Sequence, residues 1–265
     1  MAGRIESLDP LAPLDRAERL ASRQVYEPLW SRQSGPFGAT RRRPGIVRSF
    51  HSDRERSVWT ATLRRGVSFQ DGEPIDADAV LANAGRWVGS AAGRALLPAL
   101  TAVDSPRPGR VRFILDRPAP RFPVALASPR LGLVAPGSLV GIGRSGLPLD
   151  ASGSGPFEYR GREGGTVVLA RNSDWWGTAL GLGPGIDELE LSPEPVAGHR
   201  LAALLDGSVE IADDLGRHAI ERIAGAPLLT VVRGSRTIGL ERSVRGIDSV
   251  AAAQSLADVW LTDLR

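Results

Sequence analysis

The 265 residues contain no cysteine and no lysine. Without cysteine there is no disulfide, no thiol nucleophile, no cysteine-based metal site and no acylated lipoprotein cysteine. Three histidines are present, His51, His199 and His218, far apart and without the spacing of a helical zinc pair, so no metal or other cofactor is called for. Aromatic residues are scarce, at 5%. No apolar run approaches the length of a membrane span, which argues against membrane insertion. Residues 1–10 lack the charged-then-apolar pattern of a signal peptide, so the sequence as written is expected to be cytoplasmic. If a leader has been removed, the expected location is extracytoplasmic.

What is present is ordinary for a soluble domain: 42% hydrophobic and 24% charged residues, enough to bury a core in one large domain or two lobes. All 33 basic residues are arginine, against 30 acidic ones, for a net charge of +3. Arginine forks onto carboxylates and phosphates, but an arginine-only set together with abundant Ala, Gly and Pro also matches biased codon usage. Arg41-Arg42-Arg43 is the one tight basic run. No aromatics are interleaved with it, so it reads as a solvated loop and not as a nucleic-acid contact.

The densest local signal runs from Trp59 to Val88. Trp59, Ala61 and Leu63 alternate with polar residues as in a strand with one buried face, and Gly66 breaks it. Val67-Ser68-Phe69 is expected to form a second short strand before a turn at Asp71-Gly72. Asp76 is placed to cap a helix carrying Val80, Leu81, Ala84, Trp87 and Val88, stapled by Ile75 and stopped by Gly89.

Upstream, Asp15 can cap a helix with Ala17, Leu20, Ala21 and Val25 on one face, ended by Pro28. Residues 31–55 read as a loop, above all 31–45, with Ile46 to Phe50 entering the next unit. Downstream, Arg110–Asp116 alternates as a strand and Leu131–Val134 reads as a buried one. Phe157–Arg160 and Thr166–Arg171 form a hairpin across Gly161–Gly165. Ile186–Leu191 is a strand, and His199–Asp206 is a helix capped by Gly207. Helices through Ile220 and Ile223 and from Ile247 to Leu264, with strands at 209–212, 228–232 and 237–240, complete an α/β layer. No internal repeat is visible.

The wording of these stretches resembles the peptide/nickel family (family 5) of solute-binding proteins that serve ABC importers. Leu63-Arg64-Arg65-Gly66-Val67 and Phe69-Gln70-Asp71-Gly72-Glu73-Pro74 carry the central signature. Leu8-Asp9-Pro10, Val25-Tyr26-Glu27-Pro28-Leu29, Gly153-Ser154-Gly155-Pro156-Phe157 and Arg171-Asn172-Ser173-Asp174-Trp175-Trp176 match further family segments in order. Only Arg4-Ile5-Glu6 is available for the strand that family members place before Leu-Asp-Pro, and Glu241 stands where the family has Asn.

The resemblance implies an α/β fold: a periplasmic-binding-protein-like (class II, family 5) first lobe with an inserted smaller α+β domain and the second lobe missing. Residues 1–33 and 178–265 would form the lobe and residues 34–177 the insert. The match covers nearly all of this chain but about the first half of the family fold. In the family a ligand lies between two lobes that close over it.

The resemblance further implies a peptide or similar small polar ligand, with an ABC permease or a second copy of the chain as partner. The wall positions it points to are Tyr26, Glu27, Ser154, Gly155, Ser235 and Arg236. Trp175 and Trp176 read first as structural anchors and second as ligand-facing aromatics.

A cytoplasmic regulatory or assembly protein, and an enzyme recruited from the binding fold into a biosynthetic pathway, are the alternative readings. For the enzyme no nucleophile-base pair is visible. Gly153-Ser154-Gly155 lacks the spacing of a nucleophile elbow, and the neighbouring Asp213 and Asp214 are expected to point apart.

Overall fold

The computed structural model describes residues 1–30, 32–34, 40–42, 45–140, 146–215, 229–233 and 238–242. The elements run α1 (Arg16–Val25), β1 (Arg32–Ser34), β2 (Thr40–Arg42), β3 (Val47–Ser52), β4 (Val58–Leu63), α2 (Ala77–Gly89) and α3 (Ala91–Leu96). They continue with β5 (Leu100–Arg107), β6 (Arg110–Leu115), α4 (Phe122–Ala125), α5 (Pro136–Leu139), β7 (Phe157–Glu163), β8 (Thr166–Arg171) and β9 (Glu188–Leu191). Then come α6 (Ala197–Asp206), β10 (Ile211–Ala212), β11 (Leu229–Arg233) and β12 (Ile238–Arg242). All pairings among these strands are antiparallel, in the orders β1-β2, β3-β4-β6-β5, β7-β8-β9 and β10-β12-β11.

The helices start where short polar side chains can take up free N–H groups. Asp15 accepts from the Glu18 amide, and the Glu18 carboxylate reaches back to the Asp15 amide, a complete capping box for α1. Asp76 accepts from the Ala79 amide at 3.0 Å to start α2. At the other end, α1 stops before proline is reached: Tyr26 is already extended at φ −120° and ψ 127°. Gly89 does not stop α2 as expected. It stays helical, and Ser90 ends the helix by donating its amide to Arg86 O at 3.1 Å, while its hydroxyl caps α3 through the Gly93 amide at 2.9 Å.

Ala61, Leu63, Val111, Phe113 and Leu115 project from one face of the β3-β4-β6-β5 sheet into a core shared with Val80, Ala84 and Trp87 of α2. A second core joins Ala17, Ala21, Val25 and Tyr26 to Phe157, Val167, Leu169 and Leu191 of the β7-β8-β9 sheet. Apolar packing therefore ties the hairpin at 157–171 to α1, across the domain line expected at residue 177. Between β7 and β8, Gly164 and Gly165 are the whole turn, with φ of +54° and +94°, the left-handed pair that a two-residue hairpin needs. Leu201, Leu204, Ala212 and Leu215 make a third, smaller cluster under α6.

Two expected strands are absent. Val67 and Phe69 are buried, but Gly66 at φ +69° and the turn from Phe69 to Gly72 leave room for only one bridge, Ser68 to Pro74. Leu131–Val134 is likewise buried without being a strand; Pro129–Leu131 is a 3-10 turn. Val134 makes one isolated bridge, to Gly153, and on its other side meets Asn83 of α2. Its amide accepts from the Val134 N–H at 3.0 Å and donates to Val134 O at 2.8 Å, taking the place of a neighbouring strand. Conversely, the expected loop at 31–55 contains the β1-β2 pair and β3. Arg4-Ile5-Glu6 forms no strand; Ile5 O instead accepts from the Arg162 guanidinium. The expected helices at 220–223 and 247–264 lie outside the described residues.

Candidate functional site

Four of the six expected wall residues meet in one seam, where the end of α1 lies against the glycine loop that leads into β7. The last turn of a helix leaves carbonyls without partners, and here the loop supplies them. Gly155 N–H donates to Val25 O at 2.8 Å. A Cβ on Gly155 would sit 2.3 Å from Gln24 O, and one on Gly153 would sit 2.1 Å from Val25 O, so only glycine lets the two backbones approach this closely. Ser154, between them, is fully buried, and its Oγ accepts from the Glu27 amide at 3.2 Å.

Tyr26 is also buried, and its hydroxyl donates to Ala151 O at 2.9 Å. Burial pushes its phenol well above the ordinary tyrosine range, because the phenolate would lose its hydration. Tyr26, Ser154 and Gly155 thus use their polar atoms on the chain's own backbone. Glu27 differs: it is half-buried, and its Oε2 accepts from the indole N–H of both Trp175 and Trp176, each at 2.9 Å. The two rings lie 5.3 Å apart at 55°, and the Arg64 guanidinium stacks over Trp176 at 5.0 Å while its Nε donates to Gly45 O.

Three stretches far apart in sequence therefore meet here: Trp175 and Trp176 on the Glu27 carboxylate, and Arg64 on the Trp176 ring. Sequence reading picked out each stretch but not their meeting, and it missed Arg64 as a member. The shared signal was available only as three family motifs, not as a spacing. Ser235 and Arg236 lie outside the described residues. Asp9 of Leu8-Asp9-Pro10 pairs with Arg86, which holds the first turn of the chain against α2.

Elsewhere, Asp213 is buried against the Arg16 guanidinium at 3.2 Å while Asp214 is exposed, so the two carboxylates do point apart. Among the described residues no group of three His, Asp or Glu side chains is placed to hold a metal ion. No helix among them is long and apolar enough to cross a membrane.

Residues 42–244 match the model of the bacterial extracellular solute-binding proteins, family 5 (middle region), and the chain belongs to that family. Over 217 residues it is 26% identical to the probable D,D-dipeptide-binding periplasmic protein DdpA of Escherichia coli K12, covering 79% of this chain and 41% of that one.

Among solved structures it resembles AgaA of A. tumefaciens R10 in complex with agropinic acid, with a TM-score of 0.77 at 21% identity over 88% of this chain and 47% of that chain. It also resembles DppA of Helicobacter pylori in complex with the peptide STSA, with a TM-score of 0.74 at 19% identity over 88% of this chain and 49% of that chain. The chain thus spans about half the length of the relatives it matches.

Proposed function

We propose that this chain is the first-lobe part of a solute-binding module that takes a peptide or a similar small polar molecule and works with an ABC permease. The observation that carries the reading is the convergence of Glu27, Trp175, Trp176 and Arg64 at the sealed end of α1. A half-buried carboxylate held by two indoles, beside a stacked guanidinium, puts an anion and a cation within one patch, while Trp175 and Trp176 themselves are buried in the core as anchors. A zwitterionic ligand needs that combination. Family membership over residues 42–244 supports the same reading. In it, Glu27 is the wall residue that faces the ligand, and Tyr26, Ser154 and Gly155 hold the wall in shape.

A thermal-shift screen of the 265-residue chain against defined di-, tri- and tetrapeptides tests this. A ligand at a hundred times its Kd adds about 2.7 kcal/mol to stability, which raises Tm by several degrees. A panel in which no peptide moves Tm would remove peptide binding by this chain.

A further inference from the structure

Gln70 lies in the middle of the signature stretch, in the insert, at the position between Phe69 and Asp71 to which no role attaches from the sequence. Its side chain nevertheless reaches backbone groups of three other segments. The amide nitrogen Nε2 faces Val25 O at 3.3 Å, Gly155 O at 3.3 Å and Phe157 O at 2.7 Å, while Oε1 accepts from the Gly153 amide at 2.9 Å. The Gln70 amide donates in turn to Gly153 O at 2.9 Å, and the next residue, Asp71, donates its amide to the Ser152 hydroxyl at 3.0 Å. One primary amide thus joins the end of α1, both glycines of the loop and the first residue of β7.

We propose that Gln70 is a positioning residue of the ligand wall: it locks the glycine loop onto α1 and thereby sets where Glu27 stands. This rests on the binding reading above. The chemistry is specific to an amide. Three carbonyl oxygens face a donor on one side, and the Gly153 N–H requires an acceptor on the other; alanine removes all of these contacts, and although Val25 O keeps the Gly155 amide and Gly155 O keeps the Asn172 amide, the Gly153 N–H loses its acceptor and Phe157 O its short bond. The side chain does not touch the proposed ligand patch; it acts through Val25 and Gly155, two residues before Glu27 and one after Ser154, whose Oγ holds the Glu27 amide.

Glutamate in place of Gln70 gives a pH-dependent variant of the same joint. Ionised, it sets a carboxylate against three carbonyl oxygens; protonated, it restores one donor and one acceptor. Burial and those oxygens raise its folded pKa above the unfolded value, so the joint in Q70E is present at low pH and is lost as pH rises.

The experiment compares wild type, Q70A, Q70E and L201A, whose truncated side chain lies in the cluster under α6 and supplies a destabilised control. Titration calorimetry uses the tripeptide that gives the largest thermal shift with wild type. Q70A is expected to weaken that peptide about tenfold or more, the scale of losing a buried hydrogen-bond group, while L201A stays within about twofold of wild type. Q70A within twofold of wild type, or an equal loss in L201A, overturns the positioning role.

If wild type binds no peptide, the binding reading fails, and hydrogen exchange of the ligand-free chain decides the joint separately. The Gly153 and Gly155 amides are expected to exchange about tenfold faster in Q70A. In Q70E, after correction for intrinsic rates, they are expected to be protected at pH 5 and exposed at pH 8. Exchange at these amides unchanged from wild type in both variants overturns it.

Discussion

The sheet β3-β4-β6-β5 with α2 and the seam at the end of α1 are held together by opposite means. The first is an apolar sandwich: alternate residues of β4 and β6 meet Val80, Ala84 and Trp87, and stability follows the apolar area removed from water. The seam is a polar joint. There the backbone of a glycine loop closes on a helix end, and single side chains (Gln70, Ser154, Asn83, Tyr26) each satisfy buried amide groups. An apolar sandwich accepts other side chains of similar volume. A backbone-to-backbone joint accepts no side chain at Gly153 or Gly155 at all.

Substitutions that attack each region separate the two modes. The largest loss is expected from Trp87→Ala, which empties the largest fully buried side chain of the sandwich and should cost about 4 kcal/mol in urea unfolding. Trp87→Phe should recover most of it; an equal loss in the two variants would show that packing volume is not what holds this core. Gly155→Ala comes next. Its new methyl would meet Gln24 O, so a loss of about 3 kcal/mol is expected with no apolar group removed. A loss below about 0.5 kcal/mol, the usual range for a surface change, would mean that the loop slides freely.

Asn83→Ala, at the boundary of the two regions, leaves the Val134 N–H and carbonyl unpaired and should cost about 2 kcal/mol. Asn83→Leu should not rescue it, whereas a purely volumetric site would be rescued. The smallest effect is expected from Tyr26→Phe, which drops one hydrogen bond to Ala151 O, about 1 kcal/mol. Its pH signature is more telling. Because the folded phenol is held above its unfolded value, it adds stability below the unfolded tyrosine pKa of about 10 that is lost as pH climbs beyond it. The alkaline fall in Tm should therefore be shallower in Tyr26→Phe than in wild type, and parallel curves would show that the phenol does not contribute.

The legible parts of the molecule were those whose cause is local. The caps at Asp15 and Asp76 and the hairpin at 157–171 announce themselves within a few residues, because caps and hairpins are solved by neighbours, although the turn is Gly164-Gly165 alone and not the expected Gly161–Gly165. The alternation of β6 was legible for the same reason. The misread parts depend on a distant group. Leu131–Val134 has the composition of a buried strand, yet Val134 has only one bridge, to Gly153, and its own N–H and carbonyl go to the side chain of Asn83, fifty-one residues away in sequence. Gly89 looks like a helix stop, but Ser90 supplies both caps. At the candidate site the motifs were legible one by one, and Glu27 and the two tryptophans were singled out. That they share one carboxylate, with Arg64 stacked beside them, was not.

Sequence alone therefore determined the family, the helix starts at Asp15 and Asp76 and the alternation of β6, since motif wording and periodicity are properties of contiguous residues. Tertiary structure decided what the motif residues do. Ser154 and Gly155 turned out to be enclosed, Glu27 to be pinned by two indoles, and Gln70 to reach three segments at once. A hydrogen bond needs its partner within about 3 Å and in line, and no pattern along the chain states which distant backbone group will stand there.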